Sequence, residues 1–313
     1  MNILAIDIGG TKISIGIINQ HQNILFREKI NIKEKRGDQV IEEIAHSIRK
    51  IRELNIDGVG ISIPGIYYPN TGFVWVPNIE GWINYPLKPK ILDILGNNEL
   101  KIAIDSDRTC SILGEAWAGK AKNYKNAIFI SVGTGIGAGI MVDGKILRGQ
   151  SNVAGAIGWM ALSRPFRDIY KNYGCFEYYA SGDGISRYAI ELLNSSPDYK
   201  GPLREKEKIT SYDIFEALIY NDEIATKVIE NCIQLWGMAC ANLISIFNPE
   251  IIIFGGGIFG PASKYIDKIK NEAAKWAQPI SMREVKIEVS ELGSFAGLLG
   301  AAKLAIDNIH KNG

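Results

Sequence analysis

Short apolar runs along the chain alternate with longer stretches whose hydrophobic residues recur every three or four positions. Near the N-terminus three such runs predict a three-stranded meander, Asn2–Asp7, Lys12–Ile18 and Ile24–Lys29. Helical spacing predicts an amphipathic helix with one face formed by Val40, Ile41, Ile44, Ile48, Ile51 and Leu54. Gly58–Ile63 and Lys101–Asp105 predict further strands, short strand patterns occur within Tyr67–Asn84, and a helix is predicted over Thr109–Ala118.

A similar order of patterns returns in the second half of the chain. Strands are predicted at Ala127–Val132, Gly139–Val142, Lys145–Leu147, around Ile251 and at Val285–Val289. Helices are predicted at Gly184–Leu193, Ser211–Asn221, Glu223–Phe247, Pro261–Trp276 and Gly297–His310. Residues 148–182 show no regular period of hydrophobic residues, so they are predicted to be irregular in structure. Asn194–Lys208 is a polar, charged insertion, for which a solvated loop is favoured over a lid. Strands alternating with helices predict an α/β fold.

A weak internal repeat links the two halves. Ile13–Leu25 and Gly137–Leu147 each follow a Gly/Thr turn and run as a strand through a polar turn into the next strand. This pattern suggests two related domains that face each other across a cleft. The alternative is that hydrophobic hairpins resemble one another by composition alone.

Composition narrows the possible functions. The chain has 313 residues, 35 Lys+Arg against 34 Asp+Glu, and a formal net charge of +1, so it lacks the charge typical of nucleic-acid or anionic-membrane binding. No run approaches the ~18–20 apolar residues of a membrane span. The start reaches Asp7 too soon for a signal peptide, and four scattered cysteines are typical of reduced thiols. We therefore expect a cytoplasmic protein.

Glycine is over-represented and clustered. The chain has 33 glycines, about one residue in ten, where roughly 7% is usual. Three clusters each follow an apolar run, at Gly9-Gly10, Gly133–Gly139 and Gly255–Gly257. Glycine permits tight turns and lets a ligand approach backbone N–H groups, for which phosphate oxygens are common ligands. A single cluster is more often a hairpin turn, whereas three in this position favour phosphate binding.

In order along the chain, several motifs resemble those of the ROK family, which comprises repressors, open reading frames and sugar kinases. They are Asp7-Ile-Gly-Gly-Thr-Lys12, Pro64-Gly65, Pro77-Asn-Ile-Glu-Gly-Trp82, Asp107 with Gly114-Glu115, Gly133-Thr-Gly-Ile-Gly-Ala-Gly139, Ala154-Gly155 with Gly158, Gly174–Gly182 and Asn248–Gly257. The resemblance implies two actin-like ATPase (ribonuclease H-like) α/β domains flanking a cleft. It places residues 1–118 in the first, with the C-terminal helix 297–313 packing back on it, and residues 119–296 in the second.

The resemblance also implies transfer of a phosphoryl group from ATP to a sugar, with Mg²⁺ as cofactor. The phosphate and nucleotide residues would be Asp7, Gly9, Gly10, Thr11, Lys12, Gly133, Thr134, Gly135, Gly137, Gly255, Gly256 and Gly257. Backbone donors, a divalent cation and a carboxylate are what phosphoryl transfer requires. Asp7, at a strand end, is expected to hold Mg²⁺ through water.

Asp107 occupies the position of the family's catalytic aspartate, directly before a helix. There it would accept the proton of the attacking hydroxyl as general base. The alternative is that Asp107 only caps the helix, which is a common role for aspartate. The remaining sugar-binding residues implied by the resemblance are Gly65, Asn78, Ser106 and Glu177.

The chain departs from the family at its sugar and zinc positions. Ser106 replaces a sugar-binding asparagine, Ala156 replaces a glutamate, and Trp159 replaces a histidine that binds both sugar and zinc. Two cysteine positions of the zinc motif hold Asp168 and Tyr170, so only Cys175 remains of four ligands. A structural zinc site needs about four ligands, so we expect none here.

Two interpretations of these departures remain. In the first, the chain is a kinase of glucokinase type with an altered hexose or amino-sugar acceptor. In the second, it is a catalytically weak sugar sensor. The intact Asp7, Asp107 and glycine turns favour the kinase. Asp7 lies too near the start for the repressor branch's helix-turn-helix domain, so no DNA binding is expected. The resemblance further implies a homodimer and no membrane partner.

Overall fold

The computed structural model describes residues 1–51, 55–97 and 99–311. These residues form two compact units. Unit 1 comprises Met1–Asn123, Arg148–Val153 and Glu291–Gly313, and unit 2 comprises Tyr124–Leu147 and Ala154–Ser290. The predicted domain boundary at residue 118 thus falls inside unit 1, and the chain returns to unit 1 at Arg148–Val153 before unit 2 continues. The last two positions of the predicted segment 297–313 lie outside the described residues.

The strands agree with the apolar runs to within a few residues. They are β1 (Asn2–Ile8), β2 (Lys12–Asn19), β3 (Ile24–Asn31), β4 (Gly58–Ile63), β5 (Ile66–Tyr68), β6 (Phe73–Trp75), β7 (Ile83–Tyr85), β8 (Ile102–Ser106), β9 (Ala127–Val132), β10 (Ile136–Val142), β11 (Lys145–Ile146), β12 (Ile251–Gly255) and β13 (Lys286–Val289). Central strands such as β4 are buried along their whole length, which explains why they are continuous apolar runs.

The helices are α1 (Asp38–Lys50), α2 (Leu87–Leu95), α3 (Asp107–Ala118), α4 (Tyr170–Tyr173), α5 (Cys175–Ala180), α6 (Gly182–Asn194), α7 (Ser211–Ala217), α8 (Glu223–Phe247), α9 (Ile266–Trp276), α10 (Pro279–Glu284) and α11 (Ala296–Lys311). The predicted helical face that ended at Leu54 stops at Lys50, and Leu54 itself lies outside the described residues. In α8, Cys232 and Cys240 are both buried.

Each unit is built on a five-stranded sheet with the same topology. The strand order is β3-β2-β1-β4-β8 in unit 1 and β11-β10-β9-β12-β13 in unit 2. In both, the first three strands form an antiparallel meander and the remaining two add in parallel. This matching order confirms the internal repeat, because chance similarity between two hairpins would not extend to the fourth and fifth strands.

In unit 1, α11 packs onto the sheet at backbone contact distance. A Cβ atom on Gly60 of β4 would lie 1.8 Å from the carbonyl oxygen of Ala301, and one on Gly300 would lie 1.6 Å from that of Cys110 in α3. Glycine at position 60 lets α11 approach the sheet closely, and glycine at position 300 lets α11 approach α3 closely. The opposite face of the sheet is covered by α1, whose Val40, Ile41 and Ile44 are buried.

One prediction for the second half of the chain was wrong. Residues 148–182 are not wholly irregular, because they contain a 3₁₀ helix at Ile157–Trp159, followed by α4 and α5. Helices this short present too few periodic positions to be recognised. The insertion Asn194–Lys208 is exposed along most of its length, as expected of a solvated loop, but Tyr199 and Leu203 anchor it in the core. Among the described residues, no helix combines the length and apolarity needed to cross a bilayer.

Candidate active site

Asp7 lies near the carboxyl end of β1, partly buried beside the start of α11. The Ser62 hydroxyl, on the neighbouring parallel strand β4, donates a hydrogen bond of 2.6 Å to Asp7 Oδ1. A Cβ atom on Gly297 would lie 2.7 Å from the same carboxylate, so α11 approaches it with bare backbone. Burial raises the pKa of Asp7 to about 6; the Ser62 hydrogen bond lowers it and the charge of Asp107 raises it. Asp7 and Asp107 therefore lie close enough to repel each other.

Asp107 is the first residue of α3 and does not cap it. Ser106 is the N-cap: its hydroxyl oxygen accepts from the Thr109 N–H at 3.3 Å. Asp107 Oδ1 accepts from the Arg108 N–H at 2.8 Å. Burial raises the pKa of Asp107, against the Arg108 charge and backbone N–H groups that lower it. The capping interpretation of Asp107 was wrong, because the preceding serine caps the helix.

The other predicted residues of unit 1 are divided between exposed and packed positions. Thr11 and Lys12 are exposed after the turn, in which the Gly9 N–H donates to the Lys12 carbonyl. Gly10 lies against Asn78, with an added Cβ placed 3.4 Å from the Asn78 Cβ. Gly65 has a packing role, because a Cβ there would lie 2.1 Å from the Trp75 carbonyl oxygen.

In unit 2 the glycine turn between β9 and β10 meets α5 and the start of α6. The Gly182 N–H donates to the Gly133 carbonyl at 2.7 Å. Glu177 Oε2 accepts from the Ile136 N–H at 2.6 Å, and a Cβ on Gly135 would lie 2.7 Å from that oxygen. Burial raises the pKa of Glu177, while the Ile136 N–H and the charge of Arg187 lower it. Glu177 therefore fixes the glycine turn through one carboxylate oxygen. Gly137 lies within β10, where it pairs with Ser131.

A cavity of about 710 Å³ opens beside this turn. Its wall consists of the turn at Gly133 and Thr134, four residues of α6, the segment Lys208–Tyr212, and Gly257 with Ile258. The volume lies within the range usual for small-molecule and cofactor sites. The end of the Asn194–Lys208 insertion thus contributes to a pocket, a role that its polar composition did not indicate.

The three consecutive glycines after β12 have different roles. A Cβ on Gly255 would lie 2.3 Å from the Phe129 ring. Gly256 has a φ of +90°, and a Cβ there would lie 2.4 Å from the Val132 carbonyl oxygen. Gly257 has open space around its Cβ position and lines the cavity. Of these three glycines, Gly257 is therefore the one that can present bare backbone to a ligand in that cavity.

The residues at the family's zinc positions differ in their exposure and in their partners. Trp159 is 57% exposed, whereas Tyr170 and Cys175 are buried. Asp168 forms a surface ion pair with Lys171. Among the described residues, no group of three or more His, Cys, Asp or Glu side chains is arranged to hold a metal ion.

Three functional neighbours were missed by sequence reasoning. Ser62 was detectable in principle, because it is the penultimate residue of a strand that pairs with the strand carrying Asp7. Gly297 at the start of α11 and Arg187 in α6 carried no local signal. Their importance depends on which elements pack together, which periodicity does not report.

Comparison with known proteins gives consistent matches over nearly the whole chain. A sequence model of the ROK family matches residues 3–308. A glucokinase of Halalkalibacterium halodurans is 29% identical over 313 residues, covering 96% of this chain and 94% of the relative.

Two solved structures agree with the fold. A ROK family glucokinase from Streptomyces griseus, in complex with glucose and AMPPNP, has a TM-score of 0.80 and 27% identity, covering 98% of this chain and 100% of that one. A putative N-acetylmannosamine kinase from Listeria monocytogenes has a TM-score of 0.83 and 28% identity, with both chains covered completely.

Proposed function

Because the chain belongs to the ROK family and is an ATP-dependent sugar kinase, we propose that it phosphorylates a hydroxyl of a hexose or an amino sugar with Asp107 as general base. Its fold is that of a two-domain actin-like ATPase. The observation that carries the proposal is the pair of partly buried carboxylates, Asp7 and Asp107: burial raises the pKa of Asp7 to about 6, and the charge of Asp107 also raises it.

Asp107 is well suited to act as base. Ser106 caps the helix, so the Asp107 carboxylate is not needed as a cap. It accepts a hydrogen bond from the Arg108 N–H. A raised pKa makes a carboxylate a stronger proton acceptor near neutral pH. As the acceptor oxygen bonds to the γ-phosphorus, its proton passes to Asp107, and the bond from phosphorus to the bridging oxygen of ADP breaks.

Asp7 fits a role beside Mg²⁺. The ion prefers oxygen ligands and keeps several of its waters, so one or two carboxylates suffice. Two neighbouring carboxylates leave negative charge that a divalent cation would neutralise. When bound, Mg²⁺ supplies positive charge to the phosphates. Asp7 would hold its water shell, while the Ser62 hydroxyl fixes the carboxylate orientation.

We assign the nucleotide to the cavity of unit 2. Its wall combines the Gly133–Thr134 turn, the start of α6 and Gly257. Backbone N–H groups at a glycine turn and at a helix N-terminus suit phosphate oxygens. On the other unit, Gly9, Gly10, Thr11 and Lys12 remain proposed phosphate contacts, supported by the exposure of Thr11 and Lys12.

The acceptor site differs in its available hydrogen-bonding groups. Ser106 already accepts from the Thr109 N–H, and Glu177 already accepts from the Ile136 N–H. Each retains only part of its bonding capacity for a sugar hydroxyl. Asn78 is exposed and free to contact a ligand, whereas Gly65 would contribute only backbone. A site with altered hydroxyl partners discriminates strongly between sugars, so the preferred acceptor is expected to differ from glucose.

The test is a coupled assay of ADP release over a panel of hexoses and amino sugars. Wild type is expected to turn over at least one of them, and Asp107→Asn should lower kcat by about 100- to 10,000-fold with the KM for ATP nearly unchanged. Asp93→Asn, the same substitution at an exposed acid of α2, is the control. If Asp107→Asn retained wild-type kcat, the assignment of the base would be wrong.

A weak sugar sensor is the second candidate, favoured by the loss of a carboxylate at Ala156. It predicts thermal stabilisation by a sugar together with no ADP release above background for any member of the panel. Turnover that disappears in Asp107→Asn would eliminate this candidate.

We also propose that the chain holds no zinc, forms a homodimer and does not bind nucleic acid. The dispersed environments of Trp159, Asp168, Tyr170 and Cys175 support the first point. Elemental analysis of the purified protein should find well under one zinc per chain, and one tightly held zinc would contradict it. Sedimentation velocity tests the dimer, and a DNA-binding titration tests the third point.

A further inference from the structure

Arg187 is a cation in the wall of the unit 2 cavity with a constrained side chain. It lies on α6, one turn beyond Asp183, and both residues line the cavity. Its guanidinium carbon lies 4.3 Å from the centre of the Tyr173 ring and 5.3 Å from that of Tyr178. Stacking on aromatic faces suits the planar guanidinium and restricts its rotamers. The group is therefore already oriented before any ligand binds.

The hydrogen-bonding capacity of Arg187 is incompletely used. Its Nε is buried and has no hydrogen-bond partner. Arg167, another arginine of unit 2 that stacks on tyrosine, is by contrast paired with Glu191 at 2.6 Å and donates to the Tyr179 hydroxyl at 2.8 Å. A buried donor without a partner costs free energy, so its retention in a cavity wall points to a ligand.

Arg187 lies on α6, the helix whose first turn is hydrogen-bonded to the glycine turn between β9 and β10. The start of α6 is bound to that turn through the Gly182 N–H and the Gly133 carbonyl. Helical side chains incline toward the N-terminus of their helix, which here lies at the turn. Arg187 also interacts electrostatically with Glu177, the residue that contacts Gly135. The cation thus lies on the same side of the cavity as the proposed phosphate contacts.

The charge of the cavity wall is suited to an anion. Arg187 and Lys208 are its cations and Asp183 is its acid, which leaves one positive charge in excess among the lining residues. The remaining wall is glycine, hydroxyl and apolar side chains, with Tyr212 at the rim. Such a wall accepts a flat, largely neutral group together with a negatively charged one.

We propose that Arg187 binds phosphate oxygens of the nucleotide, and that it thereby distinguishes nucleoside di- and triphosphates from the bare nucleoside. This inference rests on the proposed assignment of the nucleotide to the unit 2 cavity. A guanidinium can donate two parallel N–H bonds to phosphate oxygens, which a lysine ammonium cannot reproduce. Arg187 is here a binding residue and takes no part in proton transfer.

The test is isothermal titration of ADP and of adenosine into wild type, Arg187→Met, Arg187→Lys and Arg204→Met. Arg204→Met is the matched control, because Arg204 also stacks on a tyrosine of unit 2 but does not line the cavity. Arg187→Met should weaken ADP at least about tenfold and change adenosine less than about twofold. Arg187→Lys should fall between Arg187→Met and wild type for ADP, and Arg204→Met should equal wild type.

Raising the salt concentration adds a second readout. Because the contact is between charges, the ADP affinity of wild type should fall more steeply with salt than that of Arg187→Met. Equal losses for ADP and adenosine in both Arg187 variants would reveal a purely structural role and overturn the inference. So would unchanged ADP affinity in Arg187→Met. If wild type bound neither ligand, the nucleotide assignment itself would fail, and this inference with it.

Discussion

The two units share a strand order, but one pair of equivalent positions in their central strands carries different side chains. In unit 1, Asp7 is the penultimate residue of β1 and pairs in register with Ser62 of the parallel strand β4. In unit 2 the penultimate residue of β9 is Ser131, which pairs with Gly255 of β12. The first unit therefore places a carboxylate and a hydroxyl where the second places a hydroxyl and no side chain at all.

Because of this difference, the two units suit different chemical roles although their sheets have the same topology. Unit 1 concentrates charge, with two neighbouring carboxylates suited to a cation and to proton transfer. Unit 2 presents a glycine turn and a cavity suited to backbone contact with a ligand. The strand order alone does not determine which task a unit performs, because function depends on the side chains at a few strand ends.

The largest effect is expected from removing the charge in unit 1. Asp7→Asn should lower kcat on the order of 100-fold or more, because the variant would hold Mg²⁺ less well and the phosphates would lose the positive charge of that ion. It should also stabilise the protein. Since the pKa of Asp7 is about 6 when folded and 3.8 ordinarily, the folded state binds the proton more tightly, and the ionised group is destabilising at higher pH. The free energy of unfolding should rise by about 3 kcal/mol above pH 7.

This gain has a defined pH dependence. In EDTA, the difference in unfolding free energy between Asp7→Asn and wild type should shrink as the pH falls through 6 and should vanish near pH 4, as urea unfolding at a series of pH values would show. Ser131→Ala, at the equivalent position of unit 2, changes no charge and should preserve the wild-type pH profile. A stability loss in Asp7→Asn at pH 8 would contradict the comparison.

A smaller effect separates packing from binding within unit 2. Gly256→Ala should cost about 2–3 kcal/mol, because its φ of +90° disfavours a side chain and the Val132 backbone leaves no space for one. Gly257→Ala should leave the midpoint of urea unfolding within about 0.5 kcal/mol of wild type, because its Cβ meets nothing within 4 Å, and should instead raise the KM for ATP. Equal stability of the two variants would show that the cluster is not divided in this way.

The smallest effect concerns the acid that supports the cavity wall of unit 2. Asp213 forms a capping box with Thr210 and an ion pair with Lys206 at 2.8 Å, which lower its pKa to about 2. A lowered pKa contributes stability that is present above pH 4 and is lost as the pH falls toward 2. Allowing for the exposure of Lys206, Asp213→Asn should cost about 1–2 kcal/mol at pH 7.

The effects expected for Asp213 and Asp7 have opposite signs, because Asp213→Asn lowers the free energy of unfolding at pH 7 and Asp7→Asn raises it. Thermal unfolding at pH 7 and at pH 2.5 should show that the loss caused by Asp213→Asn becomes smaller in acid. A gain in stability of Asp213→Asn at pH 7 would remove the contrast between a stabilising acid in unit 2 and a destabilising one in unit 1.

Much of the secondary structure was predictable, because buried strands are continuous apolar runs and long helices repeat their pattern over several turns. The meander β1–β3, strands β4 and β9, and helix α8 follow the predicted bounds closely. α2 and α10 were missed. Each is short, and each contains or begins at a proline, Pro89 in α2 and Pro279 in α10. In a sequence, a proline indicates that a helix is interrupted or ends there.

The α/β class, the repeated domain and the glycine turns could be predicted from local patterns, because they depend on periodicity and on residues that permit unusual backbone geometry. Packing between distant elements placed Ser62 and Gly297 beside Asp7, made Ser106 the helix cap in place of Asp107, and put Glu177 against the glycine turn. It also placed Arg187 in the cavity wall. These relations join residues far apart in the chain, and packing between elements, which no local pattern encodes, decides them.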